Sequence, residues 1–295
     1  MKEKIIYALG FFDGVHLGHQ ALLCRCKEIA QESGCKAGVV TFIGHPDTLV
    51  TGRTPQMINT RQDRKKLLQQ FHIDTVLELP FDEKLMQMAW ESFAAMLIDE
   101  HGAAGFVCGE DFRFGSRGEG TPQLLQELCR KVGLCCAVVP EQKLDGVTVS
   151  STHIRKLLEA GSIEQAVSFL GHPHVLTGIV VPGQQIGKTI GIPTANLHLP
   201  KELVQPKKGV YACRALVDGA QYLAVTNVGT RPTVGGQELT VEAWLLDFEG
   251  NLYDKELTIE FFAYLRQEQK FASLAQLQAQ IQKNAQQTRE ILANS

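Results

Sequence analysis

Two histidines three residues apart stand near the start of the chain, within a glycine-rich decapeptide. Residues 10–19 read GFFDGVHLGH, which places His16 and His19 where a first strand is expected to give way to a helix. Unpaired backbone N–H groups at such a helix start favour an anion. Imidazole donors there would stabilise the negative charge that spreads over the oxygens of a phosphorus atom during a displacement reaction. The segment therefore predicts phosphate chemistry, with further contacts from Gly10, Phe11, Asp13, Gly14 and Gly18.

Two other interpretations of the histidine pair stay open from the residues alone. Both side chains could be ordinary helix-start histidines whose hydrogen bonds are satisfied locally. They could also form half of a zinc site with Cys24 and Cys26, although no second ligand pair follows at metal-binding spacing.

Two more donor-rich segments lie in the first half. Residues 150–155, SSTHIR, offer hydroxyls and an arginine at an expected helix start, where they can bind a phosphate or only cap the helix. The loop 109–118, GEDFRFGSRG, follows an apolar strand and interleaves aromatic rings with arginines. This loop can hold a flat ring beside a phosphate, or its phenylalanines can pack into the core.

A glycine-rich loop in the second half precedes a short polar strand, residues 183–196 reading GQQIGKTIGIPTAN. Its backbone at Gly183, Gly187 and Gly191 can lie over phosphates, with Lys188 as a point charge. Thr194 and Asn196 lie two positions apart on a strand and so present oxygens on one face. Such a pair suits a Mg²⁺ ion that also binds nucleotide phosphates. A plain hairpin loop is the alternative.

The elements that must position these residues alternate in the first half between apolar and amphipathic runs. We predict strands at 4–9, 37–43, 75–79, 103–108 and 134–139, and helices at 18–33, 59–71, 89–101 and from 121 onward. Alternating strands and helices imply a parallel sheet covered on both faces, as in a Rossmann-like α/β domain.

After about residue 150 the pattern changes. Two short helices are predicted at 153–160 and 163–170, the second with a capping box between Ser162 and Gln165. Short β-branched or alternating segments then predict an antiparallel sheet or small barrel, at 175–181, 210–217, 222–227, 239–247 and 256–264. Ser273 is expected to cap a last helix, whose predicted stripe comprises Leu274, Leu277, Ile281, Thr288 and Ile291.

Composition limits the class of protein. The chain has 295 residues, a net charge of -3 and a hydrophobic fraction of 44%, which predict two globular domains. The balance of charges argues against a disordered chain, a polybasic membrane anchor and general electrostatic binding to nucleic acid. The N-terminal apolar run ends at Asp13 and predicts a strand rather than a signal segment, and no run is long enough to span a bilayer. Eight cysteines without a CxxC pair lead us to expect free thiols in the cytoplasm.

The combined motifs identify a family resemblance. The decapeptide alone resembles the HxGH signature of nucleotidyltransferases. Together with Thr41-Phe42, His45-Pro46, GEDFRFG and SSTHIR, it resembles the adenylyltransferase half of the prokaryotic bifunctional riboflavin kinase/FAD synthetases. PTAN at 193–196, NVGTRPT at 227–233 and the Val241-Glu242 pair resemble the riboflavin kinase half. Three positions depart from the family pattern, namely Ile43-Gly44, Lys188 in place of the usual arginine, and Ala243-Trp244.

The resemblance implies a fold and a set of roles. It implies a Rossmann-like nucleotidyltransferase domain at 1–158, a helical linker at 159–172 and an antiparallel riboflavin kinase barrel with a C-terminal helix at 173–295. Thr194 and Asn196 would hold Mg-ATP, with Mn²⁺ as an alternative ion, and Glu242 would accept the proton of the riboflavin 5′-hydroxyl. Pyrophosphate would be bound by Ser150, Ser151, Thr152 and Arg155. Flavin would be bound by Asp111, Phe112, Arg113, Phe114, Trp244 and Arg266.

The leading hypothesis is an enzyme with two sites. One site would phosphorylate riboflavin with ATP to FMN, and the other would transfer AMP from a second ATP to FMN, giving FAD and pyrophosphate. The expected partners are these small molecules, without nucleic acid or membrane, and the expected state is a monomer or weak homo-oligomer. The alternatives are a chain with one activity retained, a flavin-binding regulator without turnover, and a transferase with another phosphate acceptor.

Overall fold

The structure is a computed structural model that describes residues 3–183, 187, 191–233 and 236–293. The chain divides into two compact units, Met1–Gln56 with Arg64–Ser150 and Met57–Asp63 with Ser151–Ser295. The domain limits at 158 and 173 stay predictions. Lys188, expected at a phosphate, lies outside the described residues.

The first unit is built on a five-stranded parallel sheet with strand order β3-β2-β1-β4-β5. Its strands are β1 (Ile5–Leu9), β2 (Lys36–Ile43), β3 (Thr75–Pro80), β4 (Ala103–Gly109) and β5 (Cys135–Val139). A two-stranded hairpin follows, made of β6 (Lys143–Leu144) and β7 (Val147–Thr148). This arrangement confirms the predicted parallel α/β architecture, and it brings the carboxyl ends of all five strands to one edge.

Helices cover this sheet as the alternating pattern predicts. They are α1 (Leu17–Ser33), α2 (Pro46–Val50), α3 (Arg61–Gln70), α4 (Glu83–Met86), α5 (Trp90–Asp99) and α6 (Pro122–Val132), with a 3₁₀ turn at Ser116–Gly118. Strand β1 is buried on both faces because its side chains alternate between two core layers. Ile6 packs with Leu23 of α1, and Tyr7 packs with Leu97 of α5.

The second unit begins with two helices and continues as a closed antiparallel barrel. The helices are α7 (Ser151–Ala160) and α8 (Ile163–Leu170). The strands are β8 (His174–Val181), β9 (Ala195–His198), β10 (Gly209–Val217), β11 (Ala220–Thr233), β12 (Gly236–Leu245) and β13 (Glu256–Arg266), joined in the order β10-β11-β12-β9-β8-β13. The last helix, α9 (Leu274–Leu292), is capped by Ser273 as predicted, because its side chain accepts from the Gln276 N–H. The predicted barrel and C-terminal helix are confirmed.

One local prediction is wrong, and a second is wrong in part. Ser162 precedes α8 but makes no capping hydrogen bond through its side chain, because its ψ of 61° lies outside the extended range that a capping residue uses. The apolar stripe of α9 also differs, since Leu274 is 56% and Ile291 37% exposed. Thr288 of the predicted stripe is buried, and the helical period also buries Asn284, Ala285 and Leu292.

The eight cysteines are free thiols, as expected. Among the helices of the described residues, none combines the length and the apolar character needed to cross a membrane.

Two candidate active sites

The two histidines of the decapeptide lie together at the first turn of α1. His16 is the N-cap residue, and its Nδ1 accepts a hydrogen bond from the backbone N–H of His19 at 3.3 Å. The two imidazole rings stack with centroids 3.7 Å apart and planes 14° apart. Because Nδ1 of His16 accepts, it carries no proton, so the ring N–H of a neutral His16 lies on Nε2. The helix predicted at 18–33 is confirmed and begins one residue earlier, at Leu17.

His19 has an environment that disfavours its charged form. Burial lowers its pKa well below the usual value, and the neighbouring His16 and Arg64 lower the pKa further. Its Nδ1 is buried and has no hydrogen-bond partner among the described residues. The ring of Phe12 packs against it with centroids 5.0 Å apart. The surroundings therefore favour a neutral imidazole at this position, held between two other rings.

The loop between β1 and α1 is strained. Phe12 has a φ of 61° and Val15 a φ of 41°, a region that residues other than glycine seldom adopt and that is especially unfavourable for a β-branched side chain. Such strain persists where the surrounding structure fixes it, and it is concentrated at functional sites. A side chain at Gly18 would place its Cβ 3.2 Å from the His16 ring, so a larger residue there would push the ring slightly out of its place. Asp13 is buried in the same loop.

The SSTHIR segment spans the boundary between the two units. Ser150 ends the first unit, and α7 begins at Ser151 in the second. Thr152 is exposed, and Arg155 is partly buried on the second turn of the helix. The predicted helix start is confirmed, whereas the binding role of these four residues is not tested by the structure.

An aromatic cleft of about 980 Å³ lies at the carboxyl ends of β2 and β3 and beside the loop after β4. The rings of Phe112 and Phe114 stack with centroids 5.4 Å apart, and Arg113 also lines the cleft. Phe114 is nearly buried and also packs against Phe93 of α5. Asp111 is exposed and is absent from the cleft lining.

Phe81 also lines this cleft and was not among the predicted site residues. Its ring packs edge-on against that of Phe42, with centroids 5.5 Å apart, and both side chains line the cleft. Phe42 lies near the end of β2, and Phe81 directly follows β3. The signal was available, since residues that follow adjacent parallel strands meet at one sheet edge.

The second unit contains a separate cavity of about 370 Å³ between the outer face of the barrel and α9. On β12, Glu242 and Trp244 line this cavity, whereas the alternating residues Val241, Ala243 and Leu245 are buried in the barrel. The period of two along the strand therefore separates the cavity face from the core face.

Glu242 has polar neighbours on both sides. It pairs with Asn196 of β9 and with Asn227 of β11. Residues directly opposite one another in an antiparallel ladder share a face. Three oxygen-bearing side chains therefore lie in a row across three strands, and Thr194 lines the cavity beside them.

Three of these residues, Thr194, Asn196 and Glu242, suit a magnesium ion. A hydroxyl, an amide and a carboxylate are the hard oxygen donors that Mg²⁺ takes together with nucleotide phosphates and water. A side chain at Gly183 would overlap the amide of Asn196, and one at Gly187 would overlap the carbonyl of Ile192. Backbone therefore approaches these residues closely. In the described part of the chain no group of three His, Cys, Asp or Glu residues is placed to bind a metal, so an ion here would depend on few protein ligands.

Arg266 and Trp244, both predicted flavin contacts, line the same cavity. Nε of Arg266 donates to Oδ1 of Asn284 at 3.0 Å, and burial lowers the pKa of the guanidinium. Three further residues, Asn227, Glu268 and Asn284, line the cavity and were not among the predicted site residues. Nδ2 of Asn227 donates to Oε1 of Glu268 at 3.2 Å. Asn284 could not be found from the sequence, because a buried asparagine in a helix carries no signal of what faces it.

Comparison with known proteins matches each half separately. Residues 1–153 match a family model described as FAD synthetase, and residues 170–292 match one described as riboflavin kinase. A bifunctional riboflavin kinase/FMN adenylyltransferase from Bacillus subtilis is 34% identical over 99% of this chain and 94% of its own length. The chain belongs to this family. The Escherichia coli K12 member is 36% identical over 98% of this chain and 93% of its own length.

A solved structure has a fold similar to that of this chain. A crystal structure described as a macrolide-efflux protein from Streptococcus pneumoniae has a TM-score of 0.88 at 28% identity. It covers 98% of this chain and 95% of its own.

Proposed function

We propose that this member of the bifunctional riboflavin kinase/FMN adenylyltransferase family converts riboflavin to FMN at the barrel cavity and FMN to FAD at the sheet edge. The observation that carries the proposal is that the two family matches fall on two different units, each with its own set of polar residues. Both reactions consume ATP. The chain would act as a monomer or weak homo-oligomer.

In the kinase reaction Glu242 would accept the proton of the 5′-hydroxyl of riboflavin as that oxygen attacks the γ-phosphorus of ATP, and ADP would leave as the bond from its β-phosphate oxygen to that phosphorus breaks. An alcohol needs such a base because it is a poor nucleophile while protonated. Thr194 and Asn196 would hold Mg²⁺, or Mn²⁺ in its place, and a bound divalent ion would supply positive charge to the ATP phosphates. Trp244 and Arg266 would contact the flavin, and the backbone at Gly183, Gly187 and Gly191, with Lys188, would contact the phosphates.

In the adenylyl transfer the phosphate of FMN would attack the α-phosphorus of ATP in line, and pyrophosphate would leave. His16 and His19 would donate hydrogen bonds to the oxygens of the transferring group, where negative charge accumulates. The backbone of the strained loop, from Gly10 to Gly18, would contact the same nucleotide. Pyrophosphate would be bound by Ser150, Ser151, Thr152 and Arg155.

The aromatic cleft would hold the flavin ring of FMN. Phe112 and Phe114 offer stacked rings, and Arg113 offers a positive charge near them. Asp111 would act from the rim of the cleft, since its side chain is exposed. A planar aromatic ligand fits a site lined by three or more rings better than it fits any polar surface.

The experiment is a separation of flavin products over time. The purified chain is incubated with riboflavin, ATP and Mg²⁺, and riboflavin, FMN and FAD are measured by chromatography. FMN should appear first and FAD second. His19→Ala should stop at FMN, whereas Glu242→Ala should fail to make FMN yet still convert added FMN to FAD. Exposed His198→Ala and Glu249→Ala serve as matched controls. Loss of both activities in each folded variant would refute the division into two sites.

A further inference from the structure

Arg64 is a buried cation that joins the ends of two neighbouring strands. It extends from α3, is 4% exposed, and donates from Nη1 to the carbonyl of Phe11 at 3.1 Å and from Nη2 to the carbonyl of Phe42 at 3.0 Å. Its guanidinium carbon lies 4.4 Å from the centroid of the Phe11 ring. The first carbonyl belongs to the loop after β1, and the second belongs to β2.

The Phe11 carbonyl accepts two hydrogen bonds, of which the first comes from Arg64. Oγ1 of Thr41, which is fully buried, also donates to it at 2.8 Å. A peptide group is planar, so fixing this carbonyl also fixes the direction of the following N–H, that of Phe12. Phe12 is the residue whose backbone is left-handed and whose ring packs on His19. A continuous series of contacts therefore leads from Arg64 to the catalytic candidate His19.

The same guanidinium reaches the aromatic cleft. Phe42 lines that cleft, and the Arg64 bond to its carbonyl fixes the strand end that carries the ring. Phe11 also packs edge-on against His45, with centroids 4.5 Å apart. Arg64 thus links the histidine loop to the cleft where a flavin ring would lie.

We propose that Arg64 is a positioning residue of the adenylyl-transfer site, holding the strained Phe11–Phe12 turn so that His19 and Phe42 keep their places relative to each other. This inference rests on the proposed function. A left-handed turn at a residue other than glycine needs such support, because this backbone conformation is strained. Two hydrogen bonds from one rigid, planar guanidinium supply it in a way that lysine cannot reproduce.

The charge of Arg64 has a second consequence. The groups that act on the His19 imidazole are its stacked neighbour His16 and Arg64, and both lower its pKa. Removing the positive charge of Arg64 should raise the pKa of His19. Destabilisation of the fold without loss of this charge would leave that pKa unchanged, so the pKa of His19 reports the proximity of Arg64 to the site.

The test compares Arg64→Met, which retains much of the apolar stem, with Arg64→Lys, which keeps the charge. Lys65→Met, exposed on the same helix, is the matched control. Arg64→Met should lower kcat of FMN adenylyl transfer about 100-fold, the effect expected of a small misplacement of catalytic groups, while the KM for ATP changes much less. The acid limb of its kcat–pH profile should move to higher pH. Arg64→Lys should recover part of kcat and keep the wild-type acid limb.

Thermal unfolding and circular dichroism of each variant report whether the first unit, which carries Arg64, is folded, and riboflavin kinase activity in the same preparation reports on the second unit. If Arg64→Met keeps near wild-type kcat and an unshifted pH profile, the positioning role is wrong. If Arg64→Met does not fold, the test depends on Arg64→Lys. A wild-type kcat in Arg64→Lys would show that the two hydrogen bonds to the carbonyls are not both needed, which would refute the proposal. Failure of the wild-type chain to form FAD would instead refute the proposed function itself.

Discussion

Glu242 lies directly opposite Asn196 across the antiparallel ladder between β12 and β9. Opposed residues in such a ladder have their Cβ atoms about 4.5–5.5 Å apart, so the carboxylate and the amide are near neighbours on one face of the barrel. Asn196 is 8% exposed, and a side chain at Gly183 would overlap its amide. The proposed base and the proposed metal ligand are thus fixed by one pair of strands, although they are 46 positions apart in the chain (242 − 196).

The first prediction concerns Asn196. Asn196→Ala removes the amide oxygen proposed to bind Mg²⁺, so the Mg²⁺ concentration that supports half-maximal kinase activity should rise about 10- to 100-fold. The measurement is a Mg²⁺ titration of FMN formation from riboflavin. Adenylyl transfer in the same variant should keep its wild-type titration, and Asn251→Ala, in an exposed loop, should change neither reaction. An unaltered Mg²⁺ requirement for FMN formation would contradict the assignment.

The second prediction separates activity from stability at Gly18. In Gly18→Ala the new Cβ would lie 3.2 Å from the His16 ring, which must move. Alanine is a better helix former than glycine by about 1 kcal/mol in a helix interior, so the stability of the first unit should not fall. We expect FAD formation from FMN to drop at least about tenfold while the unfolding midpoint stays level or rises. Gln31→Ala, on an exposed part of α1, is the control. A variant that loses stability and activity together would argue against a direct effect on His16.

The third prediction concerns Trp244, which lines the barrel cavity and is half-buried. In a Trp90→Phe background Trp244 is the remaining tryptophan. If it stacks beside the flavin, riboflavin should quench its fluorescence in a saturable way. Trp244→Phe should raise the KM for riboflavin, and the KM for FMN in adenylyl transfer should stay constant. Equal quenching by riboflavin of exposed N-acetyltryptophanamide at the same concentrations would mean that no such contact exists.

The fourth prediction is a pH dependence of stability from His174. This residue is fully buried, packs against Phe261, and has no hydrogen-bond partner for either ring nitrogen among the described residues. Burial, with a smaller effect of His172, lowers its pKa to about 3. The unfolded chain titrates this group near 6.5, so it binds protons more readily than the folded chain between these values. Stability should therefore fall as the pH drops below about 6.5, by at most about 1.4 kcal/mol per pH unit from this group.

Urea unfolding of the Trp90→Phe chain at pH 7 and pH 5, followed by Trp244 fluorescence, measures this loss. His174→Phe should abolish this part of the pH dependence, and it should be at least as stable at pH 7 because it leaves no buried nitrogen unpaired. His198→Phe, at an exposed position, should keep the wild-type pH dependence. An equally steep loss of stability in His174→Phe would assign the effect to other groups.

Much of the fold could be predicted because it follows from local patterns. The bounds of α8 at Ile163–Leu170 agree with the prediction residue for residue, since an apolar face and a following glycine delimit the helix. The short polar strand predicted after the glycine-rich loop is confirmed as β9, although it begins at Ala195, so that Thr194 directly precedes it. The capping box at Ser162 failed because the motif states which residues are present and leaves their backbone angles open.

The site residues also fall into two groups, those that a local motif marks and those that tertiary packing brings to the site. His16, His19 and Glu242 could be selected from the sequence, since motif spacing alone marks them. Arg64 could not be selected, because it reaches its neighbours only through the packing of a helix against two strand ends. Phe81 was not selected either, although its position directly after a strand was a usable signal.

The sequence by itself determined the class of each half, the two phosphate-facing motifs and the family, because those depend on residue type, order and period along the chain. Tertiary structure alone decided that Glu242 faces Asn196 and Asn227, that the imidazoles of His16 and His19 stack, and that Arg64 joins the ends of β1 and β2. The physical reason is that strand register, ring packing and buried charge are set by contacts between segments distant in sequence. No local pattern specifies which of the possible partners a side chain meets once the sheet and the barrel have closed.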